Sequence, residues 1–173
     1  MSLLDELRAV LASRRDEVAA RFRRALPFGD YVSDRWEKAA ALGFGEGSSI
    51  YDSAHVYGEV TVGADTWVGP FAILDGSGGL MIGSNCSISA GVQIYSHDSV
   101  AWARSGGTEG YAYAPTRIGN NCYIGPNTVV AKGVTIGDGA VIGANSLVLA
   151  DVPAGATAYG SPARVRQDSE EKK

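Results

Sequence analysis

The chain has 173 residues, a mass of 18.0 kDa and a formal charge of −4 at neutral pH. That length fits one domain with a real core, and the acidic balance argues against a broad basic face for nucleic acid. With 45% hydrophobic residues the chain is too apolar for wholesale disorder, and its apolar runs fall far short of the ~20 residues of a membrane span.

The opening MSLLDELRAV is acidic where a signal peptide has a basic region and then a long apolar stretch, so a cytoplasmic protein is expected. Within residues 3–26, Leu3, Leu4, Leu7, Val10, Leu11, Val18, Phe22 and Leu26 fall at helical spacing. Arg14, Arg15, Arg21, Arg23 and Arg24 interleave with that stripe, but Asp5, Glu6, Asp16 and Glu17 dilute their charge. This favours a solvated helix face over docking on a membrane. A second helix is predicted over 34–42, with Asp34 and Glu37 as a capping box and Gly43 as the stop. Residues 1–45 therefore read as a helical cap on the domain that begins at residue 46.

From residue 50 onward every sixth position is aliphatic, with two interruptions. The runs are Ile50, Val56, Val62, Val68, Leu74; then Ile82, Ile88, Ile94; then Ile118, Ile124, Val130, Ile136, Ile142, Val148. A small residue such as Ala72, Cys86, Thr116 or Cys122 often stands two places before, and Asn85, Asn121, Asn127 and Asn145 stand three places after. A helix cannot keep a six-residue step on one face. A solenoid can: each hexad is a short strand and a corner, three sides close a coil, and Gly or Asn suits the corner's left-handed backbone. The 23 glycines, about twice the usual ~7%, fit that use. The fold expected for 46–166 is an all-β solenoid, a parallel β-helix of four to five coils. Cys86 and Cys122 fall at the small buried position and read as packing. The polar tail 167–173, QDSEEKK, reads as disordered.

The interruptions mark exceptions to the prism. Leu74 and Ile82 are eight apart, which makes a two-residue bulge at Asp75–Gly79. Ile94 and Ile118 are 24 apart, which extrudes a loop over 98–117. Long loops in compact domains are usually functional.

The run IGNNCYIGPNTVVAKGVTIGDGAVIGANSLVLADVP, the motif IYSHD and the ending GSPARV resemble the hexapeptide-repeat acyltransferase superfamily. Its galactoside and maltose acetyltransferases and the O-acetyltransferases of bacterial surface polysaccharides are the most similar groups. The resemblance implies a left-handed coil, a homotrimer with active sites in clefts between chains, acetyl-CoA as co-substrate and a sugar as acceptor. No metal is implied.

Acetyl transfer to a hydroxyl needs a base, and histidine suits that role near neutral pH. The motif matched by QIYSHD carries the family's base, so the resemblance assigns it to His97, with Tyr95 and Asp98 at the acceptor. His55 lies outside any such motif and reads as a surface or packing residue. Unit counting stacks Leu74 on Ile94, which puts Asp75 near His97. The resemblance gives Asp75 a role at the acceptor, while the bare sequence allows a turn cap. The loop offers Trp102, Arg104, Glu109, Tyr111 and Tyr113 as a sugar-binding set. Tyr123 stands where relatives often carry Trp, as a wall of the acceptor site. By the same resemblance Gly125, Ala144, Ser161 and Arg164 bind the cofactor. Ala150 stands where relatives often have a lysine, and Arg164 and Arg166 can supply that charge.

Three rivals remain at the level of sequence. A zinc enzyme on this fold needs three histidines, and the chain has two. A non-catalytic trimer has no use for His97 at the loop junction. An amino-sugar acceptor would change the nucleophile to an amine, which nothing in the sequence excludes.

Overall fold

The computed structural model describes residues 2–166; the tail 167–173 lies outside them. Short strands recur round a three-sided prism. On one side Ile50, Val68, Ile88, Ile124, Ile142 and Ala158 stack in parallel register. On the next, Val56, Leu74, Ile94, Val130 and Val148 do the same. The third carries Val62, Ile82, Ile118 and Ile136, with Val152 added by a single bridge. Most of these side chains are fully buried and form one core.

The architecture is a parallel β-helix of five coils and a sixth rung, longer than the hexad count implies. The reason is local. After Val148 the next inward residue, Val152, comes four places on, and Ala158 is too small to register as a core signal. The corners behave as their residues require. Asn85, Asn121, Asn127 and Asn145 have φ of 55–58°, the left-handed region that Asn tolerates best after Gly. Phe71 occupies an equivalent corner at φ 59° and is 62% exposed.

The small positions two residues earlier are buried, and where polar they are satisfied. Thr66 Oγ1 donates to Gly83 O at 2.9 Å, and Thr128 Oγ1 donates to Gly143 O at 2.9 Å. The Cys86 and Cys122 thiols donate to carbonyls of the next coil, Gly119 O and Gly137 O, at 3.1 and 3.2 Å.

Helices α1 (Leu3–Phe22), α2 (Phe28–Val32) and α3 (Arg35–Ala41) precede the prism. Helix α3 seals the first coil. Asp34 Oδ1 accepts from Trp36 and Glu37 N–H groups and starts the helix. Ala39 and Phe44 then join the core. Lys38 Nζ donates to the carbonyls of Tyr51, Asp52 and Ala54 at 2.8–3.2 Å, which ties the helix to the first corner. Helix α1 has no buried residue and packs chiefly on α2. Its helical spacing is real, yet arginines break its apolar stripe, and Leu3, Leu4, Leu7 and Val10 stay exposed. No helix among the described residues is long and apolar enough to cross a membrane.

Candidate active site

His97 stands where the chain leaves the prism. Ile94 points inward at the end of strand Gln93–Ile94, and three residues later His97 pairs antiparallel with Tyr113. The insertion is thus closed at its base as a hairpin, and it carries helix α4 (Val100–Arg104).

The coil below supplies the partner. Leu74 pairs with Ile94, so Asp75 lies directly beneath the start of this excursion. The strand Ile73–Ile82 runs unbroken through the bulge, whose two extra residues fall between Gly76 and Leu80. A Cβ on Gly78 would clash with Ser96 O, so glycine lets the bulge approach the strand above. Gly78 N–H then donates to Ser96 Oγ at 2.8 Å.

Asp75 is 1% exposed and uses both oxygens. Oδ1 accepts from the Ser77 hydroxyl at 2.5 Å and the Ser77 N–H at 3.0 Å. Oδ2 accepts from the Ser96 N–H at 3.0 Å and meets His97 Nδ1 at 2.6 Å. Burial alone pushes this carboxyl up. The hydrogen bonds from the Ser77 hydroxyl, the Ser96 N–H, His97 and the Ser77 N–H outweigh burial and hold it down at about 2. Asp75 is therefore ionised, and an ionised carboxylate only accepts. The proton between the two groups belongs to His97 Nδ1, so in the neutral imidazole the Nε2 lone pair is free. That is the tautomer a general base requires.

The loop builds walls round the imidazole. Tyr111 and Tyr113 stack on it with ring centroids 5.9 and 6.0 Å away. Trp102 meets Tyr111 edge-on at 6.0 Å. Asp98 accepts from the Val100 N–H at 3.0 Å and pairs with Lys132 at 3.1 Å. Those two contacts, the first more than the second, hold its carboxyl below the usual range. Beside it an open recess of about 510 Å³ is lined by Asp98, Arg104 and Glu109 among others.

The remaining expected residues are placed as follows. The Tyr95 hydroxyl donates to Gln93 Oε1 at 2.8 Å. Tyr123 sits on the first side of the prism, in register with Ser87 and Val141, and is exposed; within one chain it is not beside His97. Gly125 donates to Ile142 O, and a Cβ on it would strike the backbone of Ala144 in the next coil. Ser161, Arg164 and Arg166 belong to the closing hairpin, in which Thr157–Gly160 pairs antiparallel with Ala163–Val165. Arg164 donates to Ala163 O at 3.0 Å and has no carboxylate partner among the described residues. His55 is exposed and edge-on to Tyr57.

Sequence reasoning missed Ser77 and Ser96, which fix the Asp75 carboxylate, and Lys132, which holds the loop's first residues. The signal for Lys132 was present. Val130 stacks on Ile94, so the unit count that set Asp75 under His97 also brings residue 132 over the loop base.

Comparison with known proteins bears on the fold and the family. Residues 115–150 match the family of bacterial transferase hexapeptides (six repeats), and residues 59–96 match the hexapeptide repeat of succinyl-transferase. Nodulation protein L of Rhizobium meliloti (strain 1021) is 36% identical over 141 residues, which is 78% of this chain and 76% of that protein. The chain belongs to the bacterial hexapeptide-repeat acyltransferase family. The galactoside O-acetyltransferase of Escherichia coli (strain K12) is 33% identical over 122 residues, 70% of this chain and 55% of that enzyme. The solved structure of a maltose O-acetyltransferase from Clostridium difficile 630 superimposes with a TM-score of 0.61 at 27% identity, covering 95% of this chain and 89% of that one. The coil is the left-handed β-helix of this acetyltransferase family.

Proposed function

We propose that this family member transfers an acetyl group from acetyl-CoA to a hydroxyl of a sugar, with His97 as general base. The observation that carries the reading is the 2.6 Å contact between His97 Nδ1 and the buried, ionised Asp75. Asp75 fixes the tautomer and orientation and stabilises the imidazolium as it forms. It acts through His97 and does not touch the acceptor. His97 Nε2 takes the hydroxyl proton as the oxygen attacks the thioester carbonyl, then returns it to the departing sulfur. No covalent enzyme intermediate is needed, in keeping with the packed, inward position of both cysteines.

The recess beside α4, with Asp98, Arg104 and Glu109, offers donors and acceptors to sugar hydroxyls, and Trp102 offers an aromatic face. Arg164 suits the cofactor phosphates, since most of its guanidinium donors are uncommitted. It lies about four rungs beyond the level of His97, roughly 19 Å along the coil, a span for a long cofactor arm. Active sites in clefts between three chains would bring Tyr123 of one chain toward His97 of another.

The test is thiol release from acetyl-CoA over a panel of sugars and amino sugars. Turnover on hydroxyl acceptors is expected. Turnover confined to amines would reassign the chemistry to N-acylation, and no turnover with any acceptor would remove the enzymatic reading.

A further inference from the structure

A second cavity lies at the opposite end of the chain, between helices α1 and α3 and the first coil. It encloses about 400 Å³, within the range of small-molecule sites. Arg24 Nη1 and Arg35 Nη1 both donate to one atom, Tyr51 Oη, each at 3.2 Å. The two guanidinium groups are thereby held no more than twice that distance apart. Arg35 is fixed further by stacking 4.2 Å over the Trp36 ring and 5.3 Å over the Tyr51 ring. Arg21 lines the same cavity and lies over Phe22 at 4.9 Å.

The acidic residues of the cavity do not neutralise this group. Glu17 pairs with Arg14 at 2.6 Å. Asp34 caps α3. Asp30 Oδ1 accepts from the Asp52 N–H at 2.6 Å, and its Oδ2 is buried and meets no donor. Among the described residues Arg21, Arg24 and Arg35 have no carboxylate partner. Two like charges gathered on one hydroxyl repel each other, and an anion seated between them turns that repulsion into attraction. Guanidinium forks match phosphate oxygens two at a time, which a lysine cannot do.

We infer that this cavity is a separate binding site for a phosphate-bearing small molecule, held by Arg24 and Arg35 with Arg21 also in its lining. It is not the cofactor site. Tyr51 follows the first rung of the prism, whereas Arg164 follows the sixth.

The probe is pyrophosphate, titrated calorimetrically into the full chain with and without saturating CoA. Binding is expected in both conditions. It should weaken at least tenfold in Arg24→Gln, recover in part in Arg24→Lys, and be unchanged in Arg164→Gln. Arg24 is exposed, so its loss leaves the core intact; circular dichroism checks this. A parallel arm uses vesicles of phosphatidylglycerol or phosphatidylcholine. Binding to phosphatidylglycerol alone, lost in Arg24→Gln, would assign the phosphate to a lipid headgroup in the same cavity. Pyrophosphate binding that CoA abolishes, or that survives Arg24→Gln undiminished, overturns the inference, as does no binding in either arm.

Discussion

In the proposed mechanism His97 and Asp75 divide one task between a partly exposed ring and a buried carboxylate. Removing the ring in His97→Ala should lower kcat by roughly 10²–10⁴ and leave acetyl-CoA affinity nearly unchanged, measured by steady-state kinetics and calorimetry. Asp75→Asn keeps the shape but no longer enforces the Nδ1–H tautomer, so kcat should fall by a similar factor with little change in either KM. The same substitution has a stability signature. The Asp75 carboxyl is held at about 2 in the fold, below its unfolded value. Its stabilisation is therefore fully present above about pH 4 and is lost as pH falls through 2. The amount is on the order of 2 kcal/mol. Urea midpoints of the wild type should drop across that window, and Asp75→Asn should flatten the drop; an unchanged acid profile would show that Asp75 is not the group concerned. Phe71 poses the opposite case. A bulky residue in the left-handed region costs roughly 1–2 kcal/mol, and the four equivalent corners with Asn show what the backbone prefers. Phe71→Asn should raise Tm by several degrees in a thermal scan, and a lower Tm would mean that its exposed ring makes a contact worth more than the strain.

The loop and the coil obey different rules, which also sets what could be read from sequence. A six-residue period states directly which residues point inward, so Ile50 to Val148 were legible without a structure. The period fails where a corner shortens, as at Val148 to Val152, and where an alanine replaces an aliphatic, as at Ala158. Helix α1 shows another limit: spacing identifies a helix but not the surface it rests on. At the site, stacking Leu74 on Ile94 placed Asp75 near His97, but the direction of its carboxylate depends on Ser77 and Ser96, which carry no periodic signal. The loop's internal order was invisible for the same reason, since it rests on ring stacking and one ion pair. A solvent-exposed pair such as Asp98–Lys132 is worth at most ~1 kcal/mol, so the loop owes its position chiefly to its hairpin base and to Tyr111 and Tyr113. Replacing residues 100–110 with a short Gly-Ser turn, while keeping both tyrosines, should therefore spare the base. The acceptor KM should rise far more than the acetyl-CoA KM. Equal losses on both substrates would place the cofactor against the loop instead.

At the scale of the molecule, each end of the prism carries an added element. Helix α3 packs on the first coil, and at the far end the antiparallel strand Ala163–Val165 pairs with the last parallel strand of the first side, Thr157–Gly160. The sides carry exposed Tyr57, Met81, Tyr123, Val141 and Leu149, and Tyr123 and Val141 are neighbours in one outward row. Of these, the Tyr123–Val141 pair on the first side is a candidate association surface for the proposed trimer. In the proposed trimer, lateral packing of three prisms would cover this row and enclose each His97 in a two-walled cleft. Light scattering should accordingly give three times the 18.0 kDa chain mass at micromolar concentration. Tyr123→Glu is the discriminating variant. Tyr123 points outward while its neighbour Ile124 is fully buried, so the coil should keep its circular dichroism. The trimer should dissociate because a charge is then buried at the contact, and turnover should fall with it. A wild-type chain that is monomeric and active would overturn the shared cleft, and a Tyr123→Glu trimer with normal turnover would move the contact to another side of the prism.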